Sequence, residues 1–212
     1  MTSADPVRRS TYRHGNLRQA LLEAGLELAR AGGHDAVVLR EATRRAGVAA
    51  NAAYRHFSDR DALVHAVSLA AMGELAHTME AEQATLPPST GPAEAARARF
   101  RAVGTGYLRF ARTEPGLFRA AFYGRLDMTA AEAAESAGAG GLTPFQLLGA
   151  ALDDLVACGV LPAARRPGAE FLAWSAVHGL AVLLVDGPLR AVQPDQADET
   201  TRLLLDMVER GL

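Results

Sequence analysis

A single cysteine, Cys158, stands in the 212 residues. An intrachain disulfide is thereby excluded, and so is a zinc site built from cysteines. Lysine is missing altogether: all 22 basic side chains are arginine. Any cationic side-chain contact to a phosphate then comes from a guanidinium fork. The glycine-rich phosphate loop that ends in lysine is absent, as are His-Glu-x-x-His and Gly-x-Ser-x-Gly. The histidines at 14, 34, 56, 65, 77 and 178 have no close metal-ligand spacing. Asp153 and Asp154 are consecutive on a helical pattern, so they do not face one another as an acid/base pair. No catalytic site, metal or cofactor is expected from these patterns. In the strongly apolar part, the stretch without Asp, Glu or Arg runs from Phe171 to Val185, 15 residues. A membrane span needs about 18. Residues 1–16 contain no apolar run of the kind a secretory signal requires. A cytoplasmic protein is the expectation.

What is present describes a globular helical chain. Hydrophobic residues make up 49% and charged residues 22%, a balance that folds. A chain of this length buries roughly 70% of its unfolded surface, enough for a core without staples. Net charge is −2, but it is unevenly spread. Residues 1–65 carry 10 Arg against 7 acids, and residues 66–212 carry 12 against 17. A mildly basic head on an acidic body marks where an anionic partner docks.

No stretch alternates as a strand does. Leu17, Leu21, Ala24 and Leu28 repeat at helical spacing, and Gly32-Gly33 ends that pattern. Short helices are expected over Leu39–Ala46 and Ala50–His56, on either side of Gly47. Ser58 and Asp61 have the spacing of a capping box for a helix reaching about Glu82. Pro87-Pro88 breaks the chain. Helices then fit 92–112, 115–123, 144–159 (capped by Thr143 and Gln146), 167–185 and 195–210, with a loose connection over 124–142. The chain is expected to be all-α, with about nine helices.

The informative segment runs from Arg40 to Phe57. Two short helices flank Ala46-Gly47-Val48, where glycine permits the left-handed backbone of a tight turn. This is a helix-turn-helix in outline, whose second helix ends in Tyr54, Arg55 and His56 and is free to enter a DNA major groove. Arg60 opens the next helix, where backbone amides favour a phosphate. The bland alternative is an ordinary helix end with Phe57 in the core.

At this point residues 12–80 resemble the DNA-binding domain of tetracycline-repressor-like (TetR-type) transcriptional regulators. The resemblance is carried by Tyr12-Arg-His-Gly-Asn-Leu-Arg18, Leu39-Arg40-Glu41, Ala46-Gly47-Val48, Tyr54-Arg-His-Phe57 and Asp59-Arg-Asp-Ala-Leu63. It implies an all-α homodimer that binds a double-stranded operator, most often as a repressor released by a small molecule. The implied DNA contacts are Arg40, Ala50, Asn51, Ala52, Tyr54, Arg55, His56 and Arg60. Tyr54 and Arg60 suit phosphates; Asn51 and Arg55 suit base edges. Arg8, Arg9 and Arg13 form a basic arm for the backbone or a minor groove, or else a solvated tail. The sequence departs from the family at Val38, which replaces a hydroxyl cap, at Ala42 and Thr43, and in the run Ala49-Ala-Asn-Ala-Ala53. Losing a cap costs about 1 kcal/mol.

Trp174-Ser-Ala-Val-His178-Gly179 resembles the Trp-x-x-x-His-Gly (WHG) subtype of the C-terminal domain. The segment 171–185 is apolar on every face and demands cover on all sides, which a second subunit supplies. In the family, the last two long helices form that dimer interface. The expected division is a DNA-binding domain over 1–65 and a ligand-binding and dimerisation domain over 66–212. Phe110, Phe118, Phe122, Tyr123, Phe145, Leu148, Leu152, Trp174 and His178 are the candidates for lining a cavity for a small apolar effector; plain hydrophobic core is the competing reading. The rival function is a small-molecule-binding helical protein or enzyme with a vestigial headpiece.

Overall fold

The structure, a computed structural model, describes residues 17–123, 129 and 132–212, all but the side chain of Ala50. The arginine arm and the Tyr12–Asn16 block lie outside the described residues, as does part of the 124–142 connection. Helices α1 (Leu17–Gly32), α2 (Leu39–Arg45), α3 (Ala50–Ala53), α4 (Arg60–Ala84), α5 (Pro92–Thr113), α6 (Pro115–Phe122), α7 (Pro144–Ala157), α8 (Ala169–Val185) and α9 (Pro194–Gly211) account for most of it. No strand occurs among the described residues.

The headpiece closes around Leu21, Leu28, Val37, Ala42, Ala53 and Phe57, all buried, with Leu63 and Val67 contributed by α4. Gly47 takes φ +68° between α2 and α3, as the tight turn requires. Thr43 fits this core because its hydroxyl donates to the Arg40 carbonyl at 2.7 Å. Neither Val38 nor Ala49 caps its helix through a side chain. The α3 helix is shorter than the expected Ala50–His56. After Ala53 the chain tightens, and the amides of His56 and Phe57 both donate to the Ala53 carbonyl at 2.9 Å. With no acceptor side chain at Ala49, only one regular turn forms.

The cap of α4 also differs from expectation. Asp59, not Ser58, is the N-cap, and its carboxylate accepts from the Ala62 amide at 2.8 Å. Ser58 instead donates to Asp59. These bonds, the amide first, hold the Asp59 carboxyl below its ordinary range. The expected cap at Thr143 is present, with Gln146 completing the box.

Helix α4 is shared by the whole chain: it packs on α1, α5, α6 and α7. It crosses α5 at Gly106, where a Cβ would stand 2.6 Å from the Met79 Cα. Helix α6 reaches back to the headpiece at Gly116, where a Cβ would stand 2.3 Å from the Arg30 carbonyl oxygen. The buried hydroxyl of Ser68 on α4 donates to the Ala120 carbonyl of α6 at 2.7 Å. Helix α9 is held to α5 by ion pairs of Arg97 and Arg101 with Glu209, and of Arg112 with Asp198. The described part of the 124–142 connection includes a turn at Ala134–Ser136 that packs on α4.

Replacing Asp59 with alanine should cost about 1 kcal/mol of unfolding free energy in urea. Ser58→Ala should cost clearly less. The reverse order would return the cap to Ser58.

Candidate functional site

Two surfaces carry the chemistry. The first is the outer face of α2 and α3. Asn51, Tyr54, Arg55 and His56 are exposed, Tyr54 to 57%, whereas Ala53 and Phe57 point into the core. Ala52 is half-buried beside them. Arg40 and Arg55 are exposed and have no ion-pair partner among the described residues. By contrast Arg44 donates to both oxygens of Glu41, at 2.8 and 2.6 Å, and Arg45 reaches Glu41 and Glu27. These bonds, Arg44 first, hold the Glu41 carboxyl down at about 2. Arg44 and Arg45 thus belong to a solvated ionic face and not to the free donors.

Arg60 takes a different position from the one its sequence context implies. Its Nε donates to the Val37 carbonyl at 2.8 Å, and its Nη2 to the His34 carbonyl at 2.8 Å. The side chain braces the turn between α1 and α2 instead of presenting its full fork to a phosphate. The His34 carbonyl already accepts from the Val37 amide at 3.2 Å, and the guanidinium adds a second donor to it and one to the Val37 carbonyl.

The second site is a cavity of about 540 Å3 between α4, α5, α6, α7, α8 and α9. Phe122, Phe145, Leu148, Trp174 and His178 line it as the sequence suggested. Phe110, Phe118 and Leu152 are not in its wall; they are fully buried behind it, with Phe118 supporting the His178 ring at 5.6 Å between centroids. Tyr123 is 40% exposed and turns outward, where its hydroxyl donates to Asp186 at 3.0 Å. The segment 171–185 is not covered on all sides within one chain: Phe171, Leu172 and Leu183 are exposed.

Sequence reasoning missed Tyr107. It lines the cavity from α5, almost wholly buried, with its hydroxyl 2.7 Å from Nδ1 of His178. The indole N–H of Trp174 donates to the same hydroxyl at 3.3 Å. Trp174 and His178 stand four residues apart, on one face of α8. That spacing was the available signal: two polar-tipped rings on an apolar helix need a polar partner opposite. Burial pushes the Tyr107 phenol far above its usual range. Burial also lowers His178 below its ordinary 6.5, favouring the neutral ring. Among the described residues, no Asp, Glu or Arg lines the cavity.

The family model of bacterial regulatory proteins of the tetR family matches residues 21–67. The model of the tetracyclin repressor-like C-terminal domain matches residues 100–208. No curated protein matches the sequence. Among solved structures, a protein of unknown function from Rhodococcus sp. RHA1 is 26% identical, with a TM-score of 0.74 over 96% of this chain and 99% of that one. FadR from Bacillus subtilis, in complex with stearoyl-CoA, is 14% identical, with a TM-score of 0.65 over 92% and 98%. A TetR variant from Acinetobacter baumannii AYE, in complex with minocycline, is 20% identical, with a TM-score of 0.58 over 90% and 93%.

The lowered His178 pKa sets the sign of a pH effect. The unfolded ring takes a proton near 6.5 while the buried ring resists it, so stability declines as pH falls below 6.5. The decline ends at the folded pKa. In His178→Gln this part of the loss should vanish, as read from denaturation midpoints between pH 7.5 and 5. An unchanged pH slope would place the titration elsewhere.

Proposed function

This chain belongs to the tetR family of bacterial regulatory proteins, and we propose that it works as a dimeric repressor, released from a near-palindromic operator by a small apolar effector. The observation that carries this reading is the pairing of an exposed Asn51, Tyr54, Arg55 and His56 surface with a largely apolar cavity, joined by one unbroken helix. Asn51 and Arg55 read base edges, with Asn suited to adenine and Arg to guanine. Tyr54, His56 and Arg40 contact the backbone, and the small side chains at Ala50 and Ala52 allow close approach. Arg60 acts first through the turn it braces; its remaining Nη1 lies 3.9 Å from the Asp61 carboxylate and would exchange that exposed pairing for a phosphate. The headpiece is assigned to 1–65 and the ligand-binding and dimerisation body to 66–212, with the boundary passing through α4.

Two copies associate through α8 and α9. Leu172, Ser175, Gly179 and Leu183 form an uncovered stripe on α8, flanked by Leu203 and Met207 on α9. A Cβ at Gly179 would meet nothing within 4 Å, which leaves room for a partner helix to approach closely. Symmetric pairing through this face places the two α3 helices on successive major grooves, about 34–36 Å apart.

Effector binding acts on α4 and α6 together. Met72 and Met79 of α4, and Ala121 and Phe122 of α6, line the cavity. The opposite end of α6 meets α1 at Gly116. A ligand that displaces Phe122 therefore moves the seat of α1. A coupling of about 1–3 kcal/mol is enough to release the operator.

A gel shift against the DNA upstream of the chain's own gene tests the interface. Binding should weaken steeply with salt. Asn51→Ala and Arg55→Ala should each cost about 1–3 kcal/mol and relax preference at one base position. Full affinity in the double variant would remove α3 from the DNA. The dimer is tested separately: Leu172→Asp with Met207→Asp should halve the mass seen by light scattering while the fold persists by circular dichroism. An unchanged dimer would relocate the interface.

A further inference from the structure

The polar groups of the cavity are few, and their protons can be assigned by elimination. An indole N–H only donates, so the Tyr107 oxygen accepts from Trp174. The phenol has a single proton of its own. The nearest acceptor for it among the described residues is Nδ1 of His178, at 2.7 Å. Nδ1 is then the bare nitrogen, and the proton of the neutral ring sits on Nε2. A protonated ring would offer an N–H to a phenol already holding one, and would strand the phenol's own proton in apolar surroundings. Burial of His178 points the same way. Nε2, at the far edge of a ring that lines the cavity, has no hydrogen-bond partner among the described residues. The Phe122 and Trp174 rings pack against the imidazole, and Phe145 and Leu148 line the same cavity; no charged side chain does so among the described residues.

We propose that the Nε2–H of His178, held as a donor by Tyr107, is the group by which this cavity recognises its effector, and that the effector is an uncharged, largely apolar molecule carrying a carbonyl acceptor, such as a ketone, ester or lactone. The proposal rests on the reading of the cavity as the effector site. An acceptor facing Nε2 satisfies the cavity's one unpaired donor of this network, and the apolar body fills the space between the rings. A carboxylate would leave water without meeting a counter-ion among the described lining residues, which is strongly unfavourable. A pure hydrocarbon would fill the space and leave Nε2–H unpaired. Both are discriminated against, by different terms.

The test uses three matched probes on the full-length protein at pH 7.5: 2-acetylnaphthalene, 2-isopropylnaphthalene and 2-naphthoate, each titrated by calorimetry. The ketone should bind about tenfold more tightly than the hydrocarbon, the factor of one hydrogen bond, and the carboxylate should be weakest. His178→Phe should keep the hydrocarbon and lose the preference for the ketone. Equal binding of ketone and hydrocarbon, tightest binding of the carboxylate, or a preference that survives in His178→Phe would overturn the proposal while leaving the cavity as a ligand site. Failure of all three probes to bind would remove the cavity reading itself, and the proposal with it. Nitrogen-15 NMR of the imidazole in the unsubstituted protein gives a second readout that needs no variant. It should show a bare Nδ1 and a protonated Nε2 whose resonance moves with the ketone; the opposite tautomer would overturn the proposal.

Discussion

One helix is made to serve two cores. The first turns of α4 place Leu63 and Val67 inside the headpiece, and later turns place Met72 and Met79 on the wall of the cavity. Its 25 residues span roughly 37 Å at 1.5 Å per residue. Without proline or a bulge such a helix curves gently but does not kink, so a displacement at one end is carried to the other. Neither core can rearrange without consequence for the other. The remaining contacts reinforce the constraint: Ser68 ties α4 to the end of α6, and Gly116 at the start of α6 lies against α1. The three helices form a closed circuit around the junction, so the headpiece is seated on the body at two places and not hinged at one.

The cavity is stable for a reason opposite to that of the core. Core side chains such as Phe110 and Phe118 are surrounded on every side and gain dispersion contacts all round. Phe122 and Trp174 pack against each other and against Phe118, Tyr107, His178 and Phe145, and each also presents surface to the cavity. Their inner faces forgo contacts that a ligand restores. The rings are pinned by edge and tilted packing and by the Tyr107 hydrogen bonds, which keep the space open against collapse.

Much of this was legible in the residues. Helical spacing, Gly33, Gly47, Pro92, Pro115 and the Thr143-Gln146 box place most element ends within a residue or two. The residues of the exposed α3 face came from the family resemblance, carried by the blocks around Gly47 and Phe57, and not from local periodicity. The aromatic group was harder. Phe110, Phe118 and Phe122 have the same composition signature, and which one faces a void depends on the gaps between helices, not on local pattern. Tyr107 was hidden for the same reason: it sits in the apolar stripe Phe100, Val103, Tyr107 and Phe110, where it reads as core. Asp59 was passed over because Ser58 has the favoured spacing to an acid, while the hydrogen bond is decided by backbone geometry one residue later. Arg60 looked like an anion contact because the carbonyls it serves lie 23 and 26 residues earlier in the chain.

The brevity of α3 changes what fixes the orientation of its outward side chains. One helical turn without a cap has little rigidity of its own. Its attitude is set by the pins beneath it, the methyl of Ala53 and the ring of Phe57, both sunk in the headpiece core. Ala53 is the fulcrum of the pair. Any bulkier group there tilts Asn51, Tyr54 and Arg55 as a unit, so the attitude of this exposed face is governed by a side chain that lies wholly beneath it.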